Sequence, residues 1–239
     1  MIQLYQFPTR WGVPNESPFC MKMETYLRMS SLDFEIVYSL NLRRAPKGKM
    51  PYIEDRGKKI GDSNWIAAYL KAQYQVDLDQ NLSEPEQAVS LAMRRLIEEN
   101  LYWCIVHSRW NTSAGWKLIE PLFFGFLPPL IRTAVGNYIR RGLVKETYYH
   151  GMGRHSEAEI FQIGRQDIRA LATFLGKKKF FMGEEPTSLD AAAYGFLGNI
   201  LQVPLQDPLQ EEVRSQRNVV EYCRRIQEKF FKQTASLPR

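Results

Sequence analysis

The chain has 239 residues, of which 44% are hydrophobic and 24% charged, so it can bury a sizeable core as one large domain or two modest ones. Its formal net charge of +6 comes without any groove-reading motif, so we expect no nucleic-acid partner. The charge-free apolar stretch 121–131 is too short to span a bilayer and contains three prolines, so we expect no transmembrane span there.

Residues 1–77 carry the pattern of a small α/β unit. Pro18 occupies a position where proline commonly opens a helix, with Ser17 as the N-cap, and residues 55–57 predict a tight turn between short strands. The order strand, helix, strand, hairpin, helix is typical of a thioredoxin-like unit. The predicted elements are strands over 2–7, 34–39, 51–54 and 58–60, a helix from 18 to about 30, and a helix capped at 62–63 with its apolar face at 66, 69, 70 and 74.

The remainder of the chain predicts helices only. A polar linker at 77–85 marks the boundary, and the segment 111–155 is rich in aromatic residues, glycine and proline without a clean period. Amphipathic helices are predicted over 84–110, 156–175, 188–203 and 218–231. We therefore predict an α/β plus all-α architecture, with a thioredoxin-like domain at 1–77 and an all-helical domain at 86–239.

Three cysteines are too few and too dispersed for a disulfide framework. Cys104 and Cys223 fall on apolar helical patterns, which is typical of buried free thiols. The amino-terminal residues lack the basic and apolar regions of a signal peptide. These features predict a reducing compartment, and we expect the protein to be cytoplasmic. The three histidines show no metal-ligand spacing, so no metal site is expected.

The most informative motif is Ser-Pro-Phe-Cys at residues 17–20, which resembles the C-P-[YF]-C turn of glutaredoxins with Ser17 in place of the first cysteine. Unpaired N–H groups and the helix dipole at this position favour negative charge. A cysteine there is an activated nucleophile, whereas a serine hydroxyl is a donor suited to another molecule's thiolate. The motif therefore indicates glutathione binding. A plain helix cap, worth about 1 kcal/mol, explains Ser17 equally well.

Cys20 stands where the second cysteine of a dithiol turn would be, but it has no local partner because residue 17 is serine. It forms a mixed disulfide with glutathione only if it is exposed. We therefore predict a packed thiol at Cys20 and keep thiol exchange as the weakest hypothesis.

A thioredoxin-like unit followed by a helical domain resembles the glutathione transferase architecture, and Lys-Met-Pro-Tyr-Ile at 49–53 resembles the family's segment before its third strand. In the family this proline is cis, and the backbone of the preceding residue pairs with the cysteinyl residue of glutathione. The resemblance implies that Met50 and Pro51 hold that part of glutathione. Lys47 and Lys49 lie nearby, where they either reach the glycyl carboxylate or are simply solvated.

Asp62 and Ser63 resemble the family's acidic-Ser motif at the start of a helix. Free N–H groups and the Ser63 hydroxyl suit a carboxylate, and Asp62 suits an ammonium, so together they fit the γ-glutamyl group. A capping pair that serves only the helix is the alternative. The S/T-x-x-D capping box at 187–190 resembles the family's motif before its sixth helix, and it supports the fold without bearing on activity.

The closer resemblance is to the metaxin-like and failed-axon-connections branch of this superfamily. Residues 15–20, the segment 22–28, the loop that carries Trp11 and residues 218–222 look like that branch. The branch implies a transferase-like fold but does not guarantee activity, since some members serve in protein import or neuronal development.

The resemblance implies a glutathione transferase in which Ser17 donates a hydrogen bond to the sulfur of glutathione, the co-substrate, and stabilises its thiolate. Tyr5 ranks below Ser17 because it falls inside the first strand. A small apolar electrophile would bind between the Trp11 loop and the helical domain, and a homodimer is implied. The alternative is a non-catalytic metaxin-like binding or assembly module. The aromatic residues of 110–126 form either an acceptor wall, core, a dimer surface or a peripheral membrane contact beside Arg132, Arg140 and Arg141.

Overall fold

The computed structural model describes residues 1–231 and begins with a four-stranded sheet in the order β2-β1-β3-β4. β1 runs parallel to β2 and antiparallel to β3, and β3 forms a hairpin with β4. The first elements are β1 (Ile2–Gln6), α1 (Pro18–Met29), β2 (Phe34–Tyr38), β3 (Tyr52–Asp55), β4 (Lys58–Gly61) and α2 (Ser63–Tyr74). The predicted strand and helix order of this part is confirmed, with element ends shifted by one or two residues.

The hairpin turn has the chemistry that the sequence predicted. Arg56 and Gly57, the two residues between β3 and β4, both have positive φ, at 50° and 74°. Such dihedrals match the twist of a two-residue hairpin, and glycine adopts them without steric cost. The turn therefore brings β4 antiparallel to β3, and β4 ends at Gly61, directly before the start of α2.

Helices make up the rest of the described chain. They are α3 (Glu84–Arg95), α4 (Tyr102–Val106), α5 (Ser113–Phe124), α6 (Pro129–His150), α7 (Glu157–Leu175), α8 (Ser188–Ala193), α9 (Asn199–Gln202), α10 (Pro208–Ser215) and α11 (Arg217–Phe230). The long helix predicted over 84–110 is present, but π-helical turns at Leu96–Leu101 and His107–Asn111 interrupt it. The predicted helix over 188–203 contains a π-helical turn as well, at Tyr194–Gly198.

The segment 111–155, which showed no clean period, forms α5 and α6. Pro121 lies inside α5, and α6 exposes apolar residues on its outer side, so neither helix shows the usual apolar–polar contrast. α10 was not predicted, although Asp207 caps it by accepting from the Gln210 N–H at 2.7 Å, with Pro208 at its first position.

α1 lies at the centre of the molecule, between the sheet and α8. Ten of its twelve residues are buried, including Met21, Met23 and Leu27. Gly195 lets the π-helical turn after α8 approach α1 closely, since a Cβ at residue 195 would lie only 2.7 Å from the backbone nitrogen of Lys22. The predicted capping box is confirmed as well: Asp190 accepts from the Thr187 N–H at 2.8 Å and from the Phe181 N–H at 2.9 Å. The close approach at Gly195 thus packs the turn after α8 against α1, and the capping box determines where α8 begins.

Candidate functional site

Ser17 caps α1 and remains partly accessible. Its side-chain oxygen accepts from the Cys20 N–H at 3.4 Å, and its own N–H donates to Asn15 Oδ1 at 3.0 Å. Because a hydroxyl can accept and donate at once, capping leaves its proton available to a ligand. The predicted N-cap role is therefore confirmed, and it is compatible with the predicted thiolate contact.

A buried polar network from the helical part holds the loop before Ser17. Arg109 donates to the Glu16 carbonyl at 2.8 Å and to Asn199 Oδ1 at 2.5 Å, and the Asn199 amide donates to the Asn15 carbonyl at 2.7 Å. Burial lowers the pKa of Arg109 to about 10, while the carboxylates of Asp207 and Glu16 act in the opposite direction. Residues far apart in sequence thus hold the start of α1 in place, and no local sequence motif predicts this network.

Glu16 in turn organises the loop that carries Trp11. Its buried Oε1 accepts from the backbone N–H groups of Arg10 and Trp11, at 2.5 and 3.2 Å. Arg10 also reaches the Pro121 carbonyl of α5 at 3.4 Å. The loop before Ser17 is therefore held by hydrogen bonds to Glu16 and to α5.

Cys20 is a packed thiol, as predicted. It is fully buried, and burial raises the pKa of its thiol to about 12, although the neighbouring Ser17 hydroxyl and the Phe7 backbone pull the pKa down. A neutral thiol of this kind is a poor nucleophile. Cys104 and Cys223 are buried free thiols as well.

The Met50–Pro51 peptide bond is cis, which confirms the conformation that the resemblance implied. Met50 and Cys20 belong to one small apolar cluster with Ala45 and Tyr52, so the loop before β3 lies beside the first turn of α1. Within residues 1–231 the Met50 backbone forms no hydrogen bond. Its N–H and C=O therefore have no partner within that range, as the pairing with glutathione that the resemblance implies requires.

Asp62 adopts an unusual backbone conformation at the start of α2. Its φ is 79°, and its Oδ1 accepts from the N–H groups of Asn64 and Trp65 at 2.9 and 3.4 Å. Lys47 lies 3.9 Å from its Oδ2, with both side chains about half exposed. A non-glycine residue held at positive φ commonly marks a functional position.

Ser63 is buried and contacts a lysine that sequence analysis did not connect with it. Lys22 Nζ, on α1, donates to the Ser63 hydroxyl at 2.9 Å and to Asn64 Oδ1 at 3.0 Å. It also forms an ion pair of 2.5 Å with Glu98, whose other oxygen accepts from the Asn64 amide at 2.9 Å. Burial lowers the pKa of Lys22, and Glu98 opposes that shift. The only signal in the sequence is a lysine within an otherwise apolar helix face.

These contacts bring the predicted site residues to one region. The Met50–Cys20 packing joins the cis-proline loop to the start of α1, and the Lys22–Ser63 bond joins α1 to the start of α2. Two helix N-termini and one free backbone segment therefore line the same side of the sheet. Such a surface suits a small anionic peptide.

Tyr5 packs against the apolar cluster that contains Cys20 and Met50, but its hydroxyl already has partners. Its ring stacks on Tyr52 with centroids 4.3 Å apart, and its hydroxyl donates to Gln3 and Glu54 at 3.2 and 3.5 Å. Burial raises the pKa of this hydroxyl. Tyr5 therefore remains below Ser17 as a candidate.

The aromatic residues of α5 and the preceding turn pack next to the loop before Ser17. Phe123 meets Phe7 edge-on at 5.3 Å between ring centroids and lies 5.5 Å from Trp110, while Trp116 lies 5.9 Å from Trp110. Phe126 does not join them and is 63% exposed. The cluster Trp110, Trp116 and Phe123 thus packs, through Phe123, against Phe7 at the start of the loop that carries Trp11.

Residues 1–231 contain neither a cluster of metal-ligand side chains nor a single membrane-spanning helix. No group of three or more His, Cys, Asp or Glu side chains is arranged to hold a metal ion. No single helix in this range has the length and hydropathy of a membrane span, although α5 and α6 meet that criterion as a pair bent by 118°.

Comparisons with known proteins agree with this geometry. The model of the glutathione S-transferase N-terminal domain matches residues 18–115, and that of the glutathione S-transferase C-terminal domain matches residues 164–226. A glutathione S-transferase of Ceriporiopsis subvermispora solved with glutathione superposes with a TM-score of 0.65 at 17% identity, covering 99% of this chain and 98% of that one.

Three curated relatives align over nearly the whole chain. Isoprene-epoxide–glutathione S-transferase of Rhodococcus sp. is 36% identical over 96% of this chain and 99% of its own length. Failed axon connections of Drosophila melanogaster is 32% identical over 97% of this chain and 58% of its own length, and metaxin-1 of Mus musculus is 27% identical over 96% and 75%. The chain therefore belongs to the glutathione S-transferase superfamily, in the branch that includes the metaxins and failed axon connections.

Proposed function

We propose that the protein is a glutathione-dependent transferase in which Ser17 stabilises the glutathione thiolate. The observation that carries the proposal is the position of the Ser17 hydroxyl, which is partly accessible at the N-terminus of α1 and whose oxygen accepts the cap hydrogen bond from the Cys20 N–H. A hydrogen bond from the hydroxyl proton to sulfur favours the thiolate over the thiol, and the N-terminus of α1 acts in the same direction. The relative named for isoprene epoxide and glutathione supports this reaction class.

The rest of glutathione is assigned to the neighbouring residues. The free backbone of Met50, before cis Pro51, pairs with the cysteinyl backbone. Lys22 donates to the Ser63 oxygen, so the Ser63 proton turns away from the lysine and is available to the γ-glutamyl carboxylate. Asp62, about half exposed, faces the γ-glutamyl ammonium.

The proposed acceptor is a small apolar electrophile such as an epoxide. The thiolate sulfur forms a bond to a ring carbon, the carbon–oxygen bond breaks, and the released alkoxide takes a proton from water. We assign the electrophile to the side of Ser17 that carries the Trp11 loop, next to the aromatic cluster whose Phe123 ring meets Phe7. In this assignment the apolar rings of the cluster keep water from the reacting carbon.

We also propose that the protein works as a cytoplasmic homodimer with domains at 1–77 and 86–239. Three buried free thiols fit a reducing compartment that holds glutathione. The non-catalytic alternative draws support from failed axon connections and metaxin-1 among the relatives, and from Lys22, which already occupies one lone pair of Ser63.

Calorimetric titration with glutathione separates these functions. We expect saturable binding by the wild type and weaker binding by Ser17→Ala. Ser156→Ala is a matched control because Ser156 caps α7 with the same 3.4 Å hydrogen bond to a backbone N–H, away from the site. The control should bind glutathione like the wild type. No wild-type binding at millimolar glutathione would contradict the transferase proposal and favour a binding or assembly module.

A further inference from the structure

Arg94 on α3 carries a charge that the described part of the fold leaves without a counter-charge. The only hydrogen bond of its side chain within residues 1–231 is a long one of 3.5 Å, from Nη1 to Asn64 Oδ1, and no carboxylate of this range pairs with it. Its Nε is shielded from solvent and has no hydrogen-bond partner. Polar groups that are shielded in this way are usually hydrogen-bonded. The contacts within residues 1–231 therefore do not account for the position of this guanidinium.

The other charged side chains around the start of α2 already have partners. Lys22 forms a buried ion pair of 2.5 Å with Glu98, and Lys47 lies 3.9 Å from Asp62. Burial lowers the pKa of Lys22, and repulsion from the nearby Arg94 lowers it further, while Glu98 opposes the shift. These five side chains together carry one unbalanced positive charge, which belongs to Arg94. Such a charge beside a helix N-terminus attracts an anionic group.

Asn64 holds Arg94 next to the residues that were assigned to the γ-glutamyl group. Asn64 Oδ1 accepts from Lys22 Nζ at 3.0 Å and from Arg94 Nη1 at 3.5 Å. Lys22 Nζ also donates to the Ser63 hydroxyl at 2.9 Å. The Asn64 amide group donates to Glu98 at 2.9 Å, so its oxygen is the atom that faces the two cations. The Arg94 guanidinium and the Ser63 hydroxyl therefore both lie in the immediate surroundings of the Lys22 ammonium.

We infer that Arg94 binds the carboxylate of the γ-glutamyl group and thereby selects glutathione over thiols that lack this carboxylate. The inference rests on the proposed glutathione-dependent function and adds a residue of the helical part to that site. A planar guanidinium matches a carboxylate with paired N–H donors and a full charge, whereas the Ser63 hydroxyl offers one donor and no charge. Lys22 does not take this role, because Glu98 neutralises it and only 3% of its surface is exposed.

Arg94 serves ligand binding and contributes little to the stability of the free protein. Without a ligand its guanidinium makes one long hydrogen bond and repels Lys22, so its removal takes no strong contact from the fold. When glutathione binds, the γ-glutamyl carboxylate supplies the missing negative charge. Replacement of Arg94 therefore lowers the affinity for glutathione without making the free protein easier to denature. A purely structural role would lower both.

Calorimetric titration of the full chain with glutathione and two analogues tests the inference. In γ-aminobutyryl-cysteinylglycine a hydrogen replaces the γ-glutamyl carboxylate, and in glutaryl-cysteinylglycine a hydrogen replaces the ammonium. We expect the wild type to bind glutathione about tenfold or more tightly than the γ-aminobutyryl analogue. Arg94→Met should lose most of this preference, and it should bind the glutaryl analogue, which keeps the carboxylate, about tenfold or more weakly than the wild type does.

Arg95→Met is the matched control. Arg95 is the neighbouring residue of α3, is about half exposed and has a partner of its own in Glu99 at 3.4 Å, so its replacement should leave the wild-type preference unchanged. Arg94→Lys keeps the charge but not the fork of donors, so its affinity for glutathione should lie between those of the wild type and Arg94→Met. In urea denaturation without ligand, Arg94→Met should have a midpoint no lower than that of the wild type.

Two results would overturn the inference and leave the transferase proposal standing. One is a full preference for glutathione in Arg94→Met, and the other is a lower urea midpoint of this variant with an equal loss of affinity for all three ligands. Absence of glutathione binding by the wild type would overturn both proposals. Ser17→Ala should keep the preference for glutathione over the γ-aminobutyryl analogue, because its hydroxyl acts on the sulfur, and this keeps the two proposals separate.

Discussion

The buried ion pair between Lys22 and Glu98 yields a quantitative prediction about how the two parts of the chain are joined. Lys22 Nζ is 2.5 Å from Glu98 and also donates to Ser63 and Asn64, and both charged residues are only 3% exposed. Lys22→Met keeps the length of the side chain but leaves the Glu98 carboxylate buried without a counter-charge. Such a loss costs about 3–5 kcal/mol of unfolding free energy.

Urea denaturation followed by tryptophan fluorescence measures this cost. Lys22→Met with Glu98→Gln removes both charges, so we expect it to recover more than half of the stability lost by Lys22→Met alone. The matched control is Arg217→Met, which breaks an exposed ion pair of 2.8 Å with Glu221 and should cost less than about 1 kcal/mol. A loss of less than about 1 kcal/mol for Lys22→Met, or no recovery in the double variant, would refute the reasoning.

Three further predictions concern packing, pH dependence and the loop before Ser17. Gly195→Ala should cost about 1–3 kcal/mol, because its Cβ would lie 2.7–2.8 Å from Lys22 atoms, whereas Gly142→Ala, whose Cβ meets nothing within 4 Å, should not destabilise the fold in the same denaturation assay. Burial raises the pKa of Asp167 to about 6. Between pH 4 and pH 7 the folded state therefore holds a proton on Asp167 that the unfolded state has already released. The free energy of unfolding falls as the pH rises through this range, by about 2 kcal/mol after solvent screening. Asp167→Asn should flatten that part of a pH–stability profile, and an unchanged slope would contradict the assignment. Arg109→Met should weaken glutathione binding in calorimetry, because Glu16 and Asn199 lose their donor beside Ser17; undiminished affinity in a folded variant would show that the network does not position the site.

The sequence predicted the thioredoxin-like part well because local signals there agree. The N-cap Ser17 before Pro18, the Arg56–Gly57 turn and the Asp62 cap each determine local geometry from neighbouring residues alone. The capping box before α8 was found for the same reason. The predicted roles of Met50 and Pro51 needed the family resemblance, and the structure then showed the cis bond and a Met50 backbone without a hydrogen-bond partner within residues 1–231.

The parts that were missed depend on contacts between distant residues. Lys22 meets Glu98 across 76 positions, and Arg109 meets Glu16 across 93, so no spacing pattern reveals either pair. α6 was missed because Ile131, Val135 and Tyr138 are apolar and yet exposed, which hides the contrast that identifies a helix. Side-chain periodicity predicts a helix and its buried side only where the exposed side is polar.

The protonation state of bound glutathione tests the central claim about Ser17 most directly. Ultraviolet absorbance of the thiolate, followed as a function of pH, reports the pKa of the glutathione sulfur on the protein. We predict that the wild type lowers this pKa by at least one unit from about 8.5, and that Ser17→Ala loses most of the shift while Ser156→Ala keeps it. An equally low pKa in Ser17→Ala, with glutathione still bound, would show that Ser17 only caps the helix.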